Sequence, residues 1–159
     1  MSKLAIYPGT FDPPTKGHED LIRRSLHFVD RLIVGVARSP TKSTLFPVDQ
    51  RVSLLSEIVA DEDRVTVQPF DGLLADFAEN VGARLVVRGL RAVSDFEYEF
   101  QMALMNRKLH DGLETVFLVP ALHLTFLSAS LVREVASLNG DVSDLVHPVV
   151  QRALEQQLG

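Results

Sequence analysis

The sequence predicts one doubly wound α/β domain, a five-stranded parallel sheet with helices on both faces, and two observations predict it. Short β-rich runs alternate with longer segments of helical period, the order that a parallel sheet with crossover helices requires. Several of those runs are continuously apolar rather than alternating, as strands buried on both faces are. The 159 residues suffice for one domain spanning 1–159 with one core of useful size. No internal repeat, low-complexity tract or linker divides them.

In chain order, the strand Leu4–Tyr7 leads through a Gly/Pro-rich loop to a helix over Gly17–Val29, whose Leu21, Ile22, Leu26 and Val29 form one apolar face. The strand Arg31–Ala37 is followed by a helix over Val48–Val59, with Val52, Leu55 and Val59 in phase. Next come the strand Arg64–Phe70, a short helix over Leu73–Val81 and the strand Arg84–Gly89. The helix Ser94–His110 opens on a capping box, Ser94 to Glu97, and closes on Arg107 and Lys108, charges that suit its dipole. The strand Thr115–Pro120 and the helices Ser128–Leu138 and Val146–Leu158 complete the chain. In such a Rossmann-like arrangement, ligands sit beyond the carboxyl ends of the strands, near the point where strand order reverses.

A net charge of −5 argues against a broad electrostatic grip on nucleic acid, so any bound polyanion is small and met by a local cluster of cations. The chain has no cysteine, which excludes disulfides, thiolate metal sites and a cysteine nucleophile, and fits a reducing compartment. The apolar run in "MSKLAIYPGT" is too short for a signal peptide, and no segment approaches a membrane span. A cytoplasmic protein without a membrane partner is the expectation.

The segments that follow the strands carry the chemistry. After the first comes "PGTFDPPTKGH", where prolines restrict the loop and His18 falls in the first turn of a helix. Unpaired N–H groups and the dipole there favour an anion, and the same field keeps an imidazole neutral and donating. After the second strand, "RSPTK" sets Arg38 and Lys42 on the same rim. After the fourth, Arg88 and Arg91 flank Gly89, guanidiniums suited to phosphate oxygens, with Glu99 able to meet a ligand or hold an arginine. An ion pair of these arginines with Asp95 or Glu97 is the structural alternative. After the fifth strand, Ser128 and Ser130 stand where a helix starts, as anion ligands or simple caps. Together they place a histidine, a lysine, two arginines and two serines on one rim, which favours a polyphosphate site.

The Gly-rich dinucleotide and P-loop patterns are absent, and His27, His110, His123 and His147 are scattered without metal spacing. What remains, cations and N–H donors, suffices for transfer at a phosphate, which needs positioning and charge stabilisation more than covalent help. An attacking phosphate, largely dianionic at pH 7 with a second pKa of about 6, needs no general base. The missing base therefore points to a phosphate nucleophile attacking a nucleotide's α-phosphate, with pyrophosphate leaving.

"YPGTFDPPTKGH" resembles the T/HxGH motif of the nucleotidyltransferase superfamily, and "FLSASLVRE" resembles its serine-rich second motif. With "RGLRAVSDFEYEFQMALMN", the chain resembles the bacterial phosphopantetheine adenylyltransferases over its whole length. The resemblance implies reversible transfer of an adenylyl group from ATP to 4′-phosphopantetheine, giving dephospho-coenzyme A and pyrophosphate, with Mg²⁺ bound mainly through the ATP phosphates. It also implies a homohexamer and feedback by coenzyme A. By matching position, His18, Lys42 and Arg91 are the catalytic residues, and Thr10, Lys42, Leu74 and Arg88 hold the acceptor. ATP falls to Thr10, Phe11, His18, Gly89, Leu90, Arg91, Glu99 and the run Leu124, Thr125, Phe126, Leu127, Ser128, Ala129 and Ser130. No protein metal ligand is implied.

Two positions depart from the family pattern. Ala129 stands where a serine is common, removing one hydroxyl contact, and Leu124 stands where an aromatic often packs near the adenine. Two rivals stay open at this point: a nucleotidyltransferase with another acceptor, and a nucleotide-binding sensor on the same fold without turnover.

Overall fold

The sheet is all parallel, in the order β3-β2-β1-β4-β5. Its strands are β1 (Leu4–Gly9), β2 (Arg31–Ala37), β3 (Val65–Phe70), β4 (Leu85–Gly89) and β5 (Glu114–Leu118). The helices are α1 (Lys16–Ser25), α2 (Val48–Ile58), α3 (Leu74–Val81), α4 (Val93–Leu109), α5 (Ala129–Ser137) and α6 (Pro148–Leu158), with a 3-10 turn at Leu122–Leu124. This computed structural model describes residues 3–38 and 43–159.

The apolar runs are explained by alternation between two cores. Ala5, Tyr7, Leu32, Val34 and Val36 point into one, which also holds Ile22, Leu55, Val132 and Val150 from the helices. Ile6, Ile33 and Val86 point the other way, against Phe77 and Ala78 of α3. A strand buried on both faces has no polar face to show, so it reads as a continuous apolar run.

Most element ends shift by one or two residues, β5 running Glu114–Leu118 rather than Thr115–Pro120, and three differences bear on the site. β1 runs on through Pro8 and Gly9, which pair with Gly35 and Val36. α1 stops at Ser25, short of the expected Val29; the Ser25 hydroxyl turns back to the Leu21 carbonyl at 2.7 Å, although Leu26 and Val29 are still buried beyond the end. The capping box at Ser94 does not form. α4 begins one residue earlier, at Val93, with Ala92 as its cap and no side-chain bond there. Ser94 already has helical backbone, and the Asp95 N–H is satisfied by the Ala92 carbonyl instead.

Candidate active site

The sheet opens where its order reverses. β1 and β2 pair over six residues, but β1 and β4 pair only at Ala5–Leu85 and Ile6–Val86 and then part. Pro8 has no N–H to continue the ladder. Leu21 of α1 fills the opening against Gly89, where any side chain would meet it at 2.5 Å. Arg88 spans the fork: its Nη1 donates to the Pro8 carbonyl at 2.9 Å, while Nε and Nη2 donate to the Glu99 carboxylate at 3.0 and 2.6 Å. Of the two roles open to Glu99, it takes the second and holds an arginine. The two-pronged contact fixes the guanidinium plane and raises the Arg88 pKa, overcoming the opposing effect of burial.

Above the fork lies a cleft of about 560 Å³, with Thr10, His18, Arg88, Arg91 and Ser128–Ser130 among its walls. His18 enters it from the first turn of α1 through a reciprocal cap. The Thr15 hydroxyl accepts the His18 N–H at 3.3 Å, and the Thr15 N–H donates to His18 Nδ1 at 3.0 Å. The Phe11 ring meets the imidazole edge-on with centroids 4.8 Å apart, and Tyr7 meets Phe11 likewise at 5.4 Å. Phe11 has a left-handed backbone (φ 54°), and its buried ring lies along the wall of the cleft. Burial, then Arg91 and Arg88, push the His18 pKa down to about 4, leaving the ring neutral.

Arg91 is anchored by Nη1 to the Leu127 carbonyl at 2.7 Å, just ahead of α5, and its Nε lies 3.9 Å from Asp95. The expected arginine–Asp95 pair is thus a loose one. Ser128 caps α5 by accepting the Leu131 N–H at 3.1 Å, and the Ser130 hydroxyl meets Arg133 Nη2 at 3.1 Å.

A second lobe of about 200 Å³ shares Pro8, Gly9, Thr10, Arg88, Tyr98 and Glu99 with the first. Leu74, Phe70, Met102 and Asn106 line it further in. The residues matched to the acceptor, Thr10, Leu74 and Arg88, therefore share one lobe, and most of those matched to ATP share the other. Leu90, Thr125 and Phe126 are not among the residues lining either lobe. Lys42 lies outside the described residues.

Three groups in and behind the site escaped the sequence reading: Asp12 and Arg133 line the cleft, and Arg51 stands behind it. Arg51, 2% exposed, donates from Nε to the Phe46 carbonyl at 3.0 Å and from Nη1 to the carbonyls of Thr10 and Ala37 at 2.7 and 3.1 Å. It ties the ends of β1 and β2 to the start of α2. Its signal was present: Arg51 shares the buried face of α2 with Leu54, Leu55 and Ile58, where a charge needs a reason. The buried Asp12 carboxylate accepts the N–H groups of Leu45 and Phe46 at 2.7 and 2.9 Å. Arg133 donates to the Asp12 carbonyl at 2.6 Å and so joins α5 to the loop before α1.

Residues 6–135 match the family model described as cytidylyltransferase-like. Over 156 residues the chain is 53% identical to a phosphopantetheine adenylyltransferase of Cupriavidus necator, covering 98% of this chain and 97% of that one. Over 159 residues it is 55% identical to the phosphopantetheine adenylyltransferase of Methylobacillus flagellatus, covering 99% of each. Among solved structures, a Vibrio parahaemolyticus protein provisionally called a nicotinate-nucleotide adenylyltransferase superposes with a TM-score of 0.71 over 99% of this chain and 95% of that one. At 20% identity, that likeness concerns the fold alone.

Proposed function

The chain belongs to the cytidylyltransferase-like family and, within it, to the phosphopantetheine adenylyltransferases, and from that premise we propose how its cleft works. The enzyme is a nucleotidyltransferase of coenzyme A synthesis. It moves the adenylyl group of ATP to 4′-phosphopantetheine, giving dephospho-coenzyme A and pyrophosphate, reversibly. An oxygen of the acceptor phosphate forms a bond to the α-phosphorus as the bond to the bridging α–β oxygen breaks and pyrophosphate departs.

One observation carries this reading: the two lobes meet over Thr10 and Arg88, with His18 and Arg91 on the nucleotide side. Two phosphates can approach there in line. Nearby carboxylates are already engaged, Glu99 with Arg88 and Asp12 with backbone N–H groups. A dianionic acceptor needs no base from them. His18 donates from Nε2 to an α-phosphate oxygen, where charge grows in the transition state. Thr10 and Lys42 hold the phosphates together, and Arg88 and Leu74 hold the acceptor. Gly89, Leu90, Arg91, Glu99 and the Leu124–Ser130 segment hold ATP, and Glu99 also fixes Arg88.

Among the described residues no three carboxylates or histidines are gathered as a metal cage, and the cleft instead offers cations and N–H donors. His18, Arg88 and Arg91 would hold the phosphates, and Mg²⁺ carried on the nucleotide would supply further charge neutralisation there. Coenzyme A, with a pantetheine arm and an adenosine end, fits both lobes at once and so acts as a feedback inhibitor.

The assembly we assign is the homohexamer that the family resemblance implies. Phe96, Phe100, Leu104, Met105 and Leu109 of α4 are all exposed on the single chain, an apolar surface suited to a copy of itself. Among the described residues no helix is long and apolar enough to cross a membrane, and we assign the enzyme to the cytoplasm.

The test is pyrophosphate release from Mg-ATP with and without 4′-phosphopantetheine, in the wild type and in His18→Ala. Release that requires the acceptor and falls about 10²–10³-fold in the variant supports the reaction and the donor role of His18. ATP binding without release, with this acceptor or with nicotinate mononucleotide, would leave a sensor.

A further inference from the structure

The Thr15–His18 cap does more than start a helix. A backbone N–H can only donate, so the ring nitrogen 3.0 Å from the Thr15 N–H, Nδ1, has to accept. An imidazole that accepts at Nδ1 is neutral and keeps its proton on Nε2. The Thr15 hydroxyl lies 3.3 Å from the same Nδ1 and accepts the His18 N–H, so one residue grips both the ring and the backbone that carries it. On the reading of the cleft given above, we propose that Thr15 is a positioning residue: it selects the Nε2–H tautomer of His18 and makes the ring a fixed neutral donor rather than an acid or a base.

The surroundings act in the same direction. A proton on Nδ1 would set one N–H against another. The titratable and charged groups lining the same cleft are Tyr7 from β1, Arg88 from β4, Arg91 from the loop after it, Asp95, Tyr98 and Glu99 from α4, and Arg133 from α5. Asp12, from the loop before α1, lines it too. Glu99 is held by Arg88, Asp12 by the Leu45 and Phe46 N–H groups, and Asp95 accepts the Arg91 N–H at 3.3 Å. Arg91 and Arg88 are the charges that bear on the ring, and both oppose an imidazolium.

The chemical consequence concerns reversal. A donor that never gives up its proton is in the same state after adenylyl transfer as before it. The site is then equally prepared for the forward reaction and for attack by pyrophosphate, with no proton to restore in either direction.

The tautomer can be read without turnover. Protein carrying ¹⁵N-histidine is examined by long-range proton–nitrogen correlation, free of substrate, from about pH 8 to about pH 5. The expected result is an unprotonated, accepting Nδ1 and a protonated Nε2 throughout. Thr15→Pro, which removes the backbone N–H that Nδ1 accepts, is expected to mix the tautomers and lower kcat about tenfold while the KM for ATP stays within about twofold, as loss of an orienting partner does. Thr15→Ala, which keeps that N–H and loses only the hydroxyl, is expected to retain the wild-type tautomer. A wild-type ring protonated on Nδ1 would overturn the proposal, as would Thr15→Pro with wild-type spectrum and kcat. Should Thr15→Pro not fold, the wild-type spectrum decides alone. Should pyrophosphate release fail with every acceptor, the reaction falls while the spectrum still decides the tautomer.

Discussion

α1 and α4 both lead away from the cleft, yet they are built on opposite plans. α1 buries Leu21, Ile22 and Ser25 on one side, caps itself through Thr15 and His18, and carries Glu19 in its first turn and Arg23 and Arg24 in its last. Everything in its pattern is accounted for by its own domain. α4 is longer, at 17 residues, but buries only Glu99 and Asn106, has no side-chain cap and mixes exposed apolar residues with exposed Glu97, Gln101, Arg107 and Lys108. Tyr98, Met102 and Ala103 face the second lobe, and Phe96, Phe100 and Leu104 stand exposed on the single chain. Its own domain does not account for that exposed apolar surface, and the assembly proposed above would.

Substitutions can break this comparison at either end. Leu21→Ala, deleting a buried side chain that fills the sheet's fork, is expected to lower stability by about 2–5 kcal/mol in urea unfolding and to leave the assembly's mass unchanged. Leu104→Glu is expected to do the reverse: on the assembly proposed above, light scattering should find a smaller species, with far-ultraviolet dichroism like the wild type, because a charge at an apolar contact between copies would oppose association. An unchanged mass in Leu104→Glu would return α4 to being a single-chain helix with an unexplained surface. The smallest effect sharpens α1. His18 has its pKa lowered from 6.5 to about 4, so between those values the unfolded chain binds more protons and stability rises with pH. This contribution is complete above 6.5 and is lost as pH falls toward 4. The urea midpoint of the wild type should therefore decline across that window more steeply than that of His18→Ala.

What could be read from the sequence follows the same division. The strands were legible because a residue buried on either face leaves a period-free apolar run, and β2 was bounded correctly at Arg31–Ala37. Helix ends were less so. Ser94 and Glu97 satisfy the spacing of a capping box, but spacing does not say which residue first turns helical. The real box, Thr15 with His18, was hidden because its reciprocal partner is an imidazole rather than a carboxylate. Gathering of His18, Arg88 and Arg91 was foreseeable from strand ends alone, whereas Thr10 came from the family resemblance. Arg51 left one trace, a charge on the apolar face of α2, and Asp12 left none; both satisfy distant backbone groups, at Thr10, Ala37, Leu45 and Phe46, that only the folded chain brings to them.

The fork in the sheet makes β3-β2-β1 and β4-β5 two leaves on a short spine, bound through Ala5–Leu85 and Ile6–Val86. Arg88 is the clasp across the open side, its grip on Pro8 being a single hydrogen bond of 2.9 Å. A molecule bound in the cleft above the fork meets residues from both leaves, Thr10 after β1 and Arg88 in β4. Binding to the folded form alone makes local opening there rarer, so amide hydrogens at the free margins of β1 and β4 are expected to exchange more slowly with solvent when ATP and acceptor are bound together.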